Sequence, residues 1–107
     1  MKNEDVFEDF ASGREAKTEH AFSEREGSLL VCYSYGRHFP MAIRLPDAFV
    51  VNRDKYSITT SKHQTGLLRA IGGGDILTRT TKEIKEIIRE LSAIEFPTKN
   101  DLILLEL

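Results

Sequence analysis

The sequence predicts an α+β fold: an antiparallel sheet of about five strands, a meander plus a C-terminal strand, with two helices on one face. Three observations predict it. Between Ser28 and Val51, short branched and aromatic runs alternate with turn residues. Beyond Ser61 the apolar spacing changes to threes and fours, the helical period. The chain has 107 residues, enough for one domain and one modest core.

Each element follows from local chemistry. Residues 1–27 read as an acidic, loosely packed N-terminal segment of the single domain. Within it VFEDFA makes a short helix with Val6, Phe7, Phe10 and Ala11 on one face, stopped by Gly13. AKTEHAFSERE alternates weakly, as an edge strand does. SLLVCYSY is the first clear strand, with Leu29, Val31, Tyr33 and Tyr35 on one face and Leu30, Cys32 and Ser34 on the other. Gly36 turns the chain into HFPMAIRL, where Pro40 signals an edge or a bulge because it cannot donate to the ladder. Pro46-Asp47 turns into AFVV, and residues 52–55 turn into a fourth strand, KYSITT. A helix then runs from Lys62 to Ile71, with Ser61 and Gln64 as its capping box, and Gly72 to Gly74 end it. TTKEIKEIIRELSAI forms a second helix with Ile84, Ile87, Ile88, Leu91 and Ile94 in one stripe, and Thr80 and Glu83 cap it. After Pro97, DLILLEL reads as the last strand.

Charge is unevenly spread over a net of −2. Residues 1–28 hold four Lys/Arg against eight Asp/Glu, residues 29–70 six against two, and residues 71–107 five against seven. The basic middle suits either an external anion or the chain's own acidic ends. Cys32 is the one cysteine, which excludes an internal disulfide and a multi-cysteine zinc site and points to a reducing, cytoplasmic compartment. No apolar run reaches the length of a membrane span, and MKNEDVFEDF is too acidic for a signal peptide, so no membrane association is expected.

The candidate site lies in YSITTSKHQTGLLRAI, residues 56–71. Capping accounts for Ser61 and Gln64. It does not account for Lys62 and His63, because cations at a helix start oppose the macrodipole. An anion there reverses that penalty, held by free N–H groups, Ser61 and the two cations. A second cluster comprises Tyr35, Arg37 and His38 at the first hairpin. Arg53, Lys55 and Tyr56 sit at the later turn. Alternate turns of a meander share an end of the sheet, whereas a helix after a fourth strand starts at the other, so the sequence does not join the clusters.

Tyr33, Tyr35, Phe39, Phe49 and Tyr56 interleave with the basic residues, as in surfaces that stack bases, but no RNA-recognition, zinc-finger or helix-turn-helix signature is present. Catalysis is not expected. Cys32 sits mid-strand, Ser61 and His63 lack an orienting acid, and His20, His38 and His63 match no metal-ligand spacing. Gly72-Gly73-Gly74-Asp75 lacks the Lys-Ser/Thr of a P-loop. No catalytic residue, metal or cofactor is assigned.

YSYGRHFPMAIRL followed by VVNRDKYSITTSKHQTGLLRAI resembles an uncharacterised family of short phage and mobile-element proteins. That family pairs a Tyr-Gly-x-His-Phe-Pro hairpin with an Asn-x-Asp-x-Tyr-Ser-x-Thr-Thr-Ser-x-His-Gln segment. Here these are Tyr35, Gly36, His38, Phe39 and Pro40, then Asn52, Asp54, Tyr56, Ser57, Thr59, Thr60, Ser61, His63 and Gln64. The resemblance covers residues 33–71 and brings no activity with it. It implies a mobile-element origin and action in a host cytoplasm. Two functions are then expected. The first is a small non-catalytic accessory protein that binds nucleic acid or a phosphate-bearing ligand through its basic middle. The second is an inhibitor of a host defence system, anti-CRISPR-like, that docks on a protein and imitates nucleic acid with its acidic face. A homodimer is left open.

Overall fold

The structure, a computed structural model, describes residues 2–55 and 57–105. The elements in chain order are α1 (Asn3–Ala11), β1 (Ala16–Lys17), β2 (Ala21–Glu26), β3 (Leu29–Ser34), β4 (Pro40–Leu45) and β5 (Ala48–Asn52), then α2 (Ile58–Ile71), β6 (Ile76–Arg79), α3 (Thr81–Leu91) and α4 (Lys99–Leu104). The fold is α+β. Among the described residues six strands lie side by side in chain order, antiparallel except where β6 runs parallel to β5. The expected sheet had about five strands. The stretch read as one weak edge strand, residues 16–26, folds back on itself as β1 and β2, and β6 is the addition, too short to carry a periodic signal.

Period-two alternation places the core. On β3, Leu30 and Cys32 join Val6, Phe7, Phe10, Leu67 and Ile71 of α1 and α2 in one apolar cluster. Leu29, Val31 and Tyr33 join Ile84, Ile87 and Leu91 of α3 and Leu102 of α4 in a second. Helices therefore cover both faces of the sheet, where one face was expected. The reason is visible in β3 itself: all six of its residues are buried, so neither face tolerates water. The N-terminal segment is also well packed, since Val6, Phe7 and Phe10 lie at 2% exposure or less.

Two predicted strands are helical. KYSITT contributes no strand; Tyr56 lies outside the described residues, and Ser57 caps a helix that starts at Ile58, its Oγ accepting from the Thr60 N–H at 3.1 Å. That bond, and the burial of Thr60, His63 and Gln64 along one side of α2, outweigh the strand propensity of Ile-Thr-Thr. The terminal DLILLEL enters α4 instead, where the Asp101 carboxylate accepts from the Thr98 N–H at 2.7 Å and Leu102 is the buried residue; residues 106–107 lie outside the description. The hairpin of β3 and β4, the AFVV strand and the α3 capping box match the sequence reading. Pro40 opens β4 where the register slips between Cys32 and Tyr33, a bulge in an interior strand.

Losing the fourth strand has a topological result. Because α2 begins directly after the loop that leaves β5, its N-terminus stays at the end of the sheet that carries the 35–39 turn. Tyr35 of the first cluster and His63 of the other, which the sequence kept apart, meet there.

Candidate functional site

At this end of the sheet a polar network runs beneath the surface. His63, on the inner side of α2, is 6% exposed. Its Nδ1 lies 2.8 Å from Ser34 Oγ at the end of β3, and its Nε2 lies 3.2 Å from Asn3 Nδ2 at the start of α1. The proton positions follow from the far end. Thr18 Oγ1 accepts from the N–H groups of Ala21 at 3.1 Å and His20 at 3.4 Å, so its own proton goes to its closest acceptor, Asn3 Oδ1 at 2.6 Å. The Asn3 amide therefore turns its NH2 toward His63. Nε2 accepts, and the Nδ1–H donates to Ser34. Ser34 Oγ in turn lies 3.4 Å from Thr60 Oγ1, to which Ser57 donates at 3.1 Å.

Ser34, His63 and Asn3 have the outline of a nucleophile triad with its polarity reversed. A base must accept the serine proton; here the imidazole donates to Ser34, which is 1% exposed. In this arrangement the imidazole holds the Ser34 hydroxyl and takes no proton from it. Burial, the largest influence, pushes the His63 pKa below its ordinary value; His20 adds to this and Glu4 opposes it. The ring is neutral at pH 7. Phe7 meets it edge-on at 5.9 Å, and Tyr35 stacks over it at 5.6 Å. Tyr35 adopts φ +66° and is about half exposed, and the exposed His20 ring lies 5.1 Å beyond it.

The loop after β5 is equally engaged. Asn52 Nδ2 donates to Pro40 O and Thr81 Oγ1, both at 2.8 Å, while its Oδ1 accepts from the Asp54 N–H. Asp54 Oδ2 accepts from the Thr81 N–H at 2.7 Å, so a carboxylate caps the start of α3. That backbone bond, then the Thr81 hydroxyl, hold the Asp54 pKa below the usual carboxylate value. Gln64 Nε2 donates to the carbonyls of Asn52 and Asp54.

The sequence-predicted residues therefore divide. His63 and Gln64 are buried in this network, their ring and amide nitrogens bonded within the protein, and one side of His63 lines the cleft described next. Arg37 is bound by the acidic N-terminal segment, to Glu24 at 2.5 Å and Glu26 at 3.7 Å, with Phe22 beneath it at 5.8 Å. Arg53 reaches Glu83 at 3.4 Å and Thr78 O at 3.1 Å. His38 is exposed in the 35–39 turn. Ser61 stands in the first turn of α2 and is not its cap. Tyr56 lies outside the described residues.

Lys55, Lys62 and Ser61 line one open cleft of about 890 Å³ with Arg69. Ser57, Thr59 and Thr65 add hydroxyls, Asn3 and Phe7 form the α1 wall, and Glu4 contributes a carboxylate. Lys55, Lys62 and Arg69 have no ion-pair partner among the described residues. Sequence reasoning missed Arg69, although it stands two helical turns after Lys62 on the same side. It also missed Asn3, Thr18 and Ser34, whose sequence neighbours give no sign of their role. No family model matches this chain, no curated protein matches it, and no solved structure matches it.

Proposed function

We propose that this is a small non-catalytic accessory protein of the phage or mobile-element kind, binding a phosphate-bearing ligand such as nucleic acid in the cleft along α2. One observation carries the reading. In a chain of net charge −2, Arg37 and Arg53 are neutralised internally, while Lys55, Lys62 and Arg69 face a single cleft without an acidic partner among the described residues. The N-terminus of α2 opens into the same cleft, and its first N–H groups favour an anion.

Fluorescence anisotropy with single-stranded and duplex oligonucleotides, over a salt series and with pyrophosphate as competitor, tests this. Replacing Lys55, Lys62 and Arg69 together by alanine should weaken binding and reduce the salt slope by about 2–3, because each phosphate contact contributes about 0.7–0.9. Unchanged affinity and slope in the triple variant, or no binding by the parent protein at low salt, overturns the reading.

Exposed apolar residues favour a second reading, an anti-CRISPR-like inhibitor that docks on a host defence protein. Phe96, Ile103 and Leu104 are 68–80% exposed near the C-terminus. Affinity capture from nuclease-treated host lysate should then recover one stoichiometric protein, and changing these three residues to serine should abolish the capture.

A further inference from the structure

We propose that the outer edge of β6 pairs with the same edge of a second copy, antiparallel about a two-fold axis at Leu77, joining two six-stranded sheets into one. The sheet order ends at β6, so among the described residues this edge has no strand neighbour. At the opposite edge β1 has only two residues, and short edges resist pairing.

Hydrogen-bond parity restricts the register. The Phe49 N–H donates to Asp75 O and the Arg53 N–H to Arg79 O, with Phe49 beside Ile76 and Val51 beside Thr78. In such a parallel ladder Asp75, Leu77 and Arg79 direct their backbone groups at β5, while Ile76 and Thr78 direct theirs outward. A second copy of the strand must therefore set outward residues against outward residues. The two-fold can be centred on Ile76, Leu77 or Thr78.

Charge selects among the three. Centring on Leu77 sets Asp75 opposite Arg79 of the second copy, and symmetry makes this pair twice. Centring on Ile76 sets Asp75 against Leu77, and centring on Thr78 sets Arg79 against Leu77. In the Leu77 register Ile76 and Thr78 exchange backbone hydrogen bonds, and Asp75 and Arg79 fall in a non-hydrogen-bonded pair, where opposing side chains stand closest.

Three local features suit this arrangement. Arg79 Nε is buried with no partner among the described residues, and an Arg–carboxylate fork through Nε satisfies it. Arg79 Nη1 at 2.7 Å and Arg53 Nη1 at 3.1 Å cap the outward carbonyl of Thr78 in the single copy. Pairing replaces them with the Ile76 N–H and frees Arg79 to turn to Asp75, which now shares its exposed carboxylate with Lys99 at 3.0 Å. Finally, this register lays the triglycine before β6 beside the first turn of α3 in the second copy. A Cβ at Gly72 or Gly73 meets nothing within 4 Å among the described residues, so the triglycine offers neither a side chain nor a close neighbour to block that turn.

Sedimentation equilibrium over a concentration series, with Asp75→Arg and Arg79→Asp, tests the pairing. The parent protein should shift from monomer to dimer as concentration rises. Each single variant sets like charges opposite each other twice and should weaken self-association at least about tenfold. An equimolar mixture of the two variants restores both opposite-charge pairs and should form a heterodimer near the parent strength. Circular dichroism checks that each variant is folded. Should a charge variant unfold, Thr78→Pro removes an outward N–H without touching the bonds to β5 and should also favour monomer. A parent protein that is monomeric throughout, a dimer indifferent to these changes, or a mixture that stays monomeric overturns the proposal.

Discussion

His63 takes its protonation state from Thr18, a residue it does not touch. The Thr18 hydroxyl fixes the Asn3 amide, and the amide leaves Nε2 as an acceptor. A proton added to Nε2 would face an N–H donor. Reversing the amide would cost the Thr18–Asn3 bond, since the Thr18 lone pairs are already used. Geometry and burial thus agree that the folded state holds His63 neutral, with its pKa below the ordinary 6.5. The unfolded chain then binds more protons between the two pKa values, so stability rises with pH there. This contribution is complete above about 6.5 and declines as pH falls toward the folded-state value. Thermal melts should show an acid-side loss that His63→Gln flattens. At neutral pH the same change should destabilise by about 1–3 kcal/mol, because Ser34 and Asn3 lose well-placed partners. An unchanged acid slope in the variant would assign the loss to other groups. Much of this site was illegible for a physical reason. The crowding of Ser57, Thr60, His63 and Gln64 is plain in the sequence, but it reads as ligand-facing until Asn3, Thr18 and Ser34 arrive from 26 to 60 residues away.

At the scale of elements, the start of α2 turns on which serine caps it. Ser57 and Ser61 both precede polar residues with helix-starting chemistry, and the sequence pattern at Ser61 with Gln64 is the more conspicuous. The structure gives the cap to Ser57, whose Oγ accepts from the Thr60 N–H, and buries Gln64 against the β5 loop. Ser57→Ala should cost about 0.5–2 kcal/mol in chemical denaturation, whereas Ser61→Ala should cost close to nothing. A larger loss at Ser61 would move the helix start one turn later and revive the fourth strand. The β3–β4 hairpin and α3 were legible because several neighbouring residues agree: alternating apolar positions around Gly36, and a stripe through Ile84, Ile87 and Leu91 behind a capping box. β6 and α4 were not. Ile-Leu-Thr-Arg is too short to show a period, and Leu-Ile-Leu-Leu looks like a strand until Asp101 caps the preceding turn and Leu102 turns inward, with Leu105 half-buried three residues on.

Across the whole molecule, two apolar clusters on opposite faces of one sheet must fold together, and the tip of the β2–β3 hairpin links distant parts of the chain. The Ser28 N–H donates to Ser92 O at 2.9 Å and its hydroxyl to Leu91 O at 3.2 Å. The hairpin from the first third of the chain thereby satisfies carbonyls that α3 leaves open at its C-terminus. Gly27 makes this approach possible. It adopts φ +61°, and a Cβ there would lie 2.2 Å from Ser92 O, a backbone atom that cannot swing aside. Gly72 is the natural control, because it has φ +70° but a Cβ there meets nothing within 4 Å. Gly72→Ala should therefore cost only the backbone strain, about 1–3 kcal/mol. Gly27→Ala is also strained at its positive φ and in addition forces the hairpin tip off α3, so it should lower the denaturation midpoint further. It should also raise amide exchange at both Ser28 and the last turn of α3, two segments about 60 residues apart that the docked tip hydrogen-bonds to each other. Equal losses in the two alanine variants, with exchange changed at the hairpin alone, would mean that the tip and α3 open independently and that the two faces are not held as one cooperative unit.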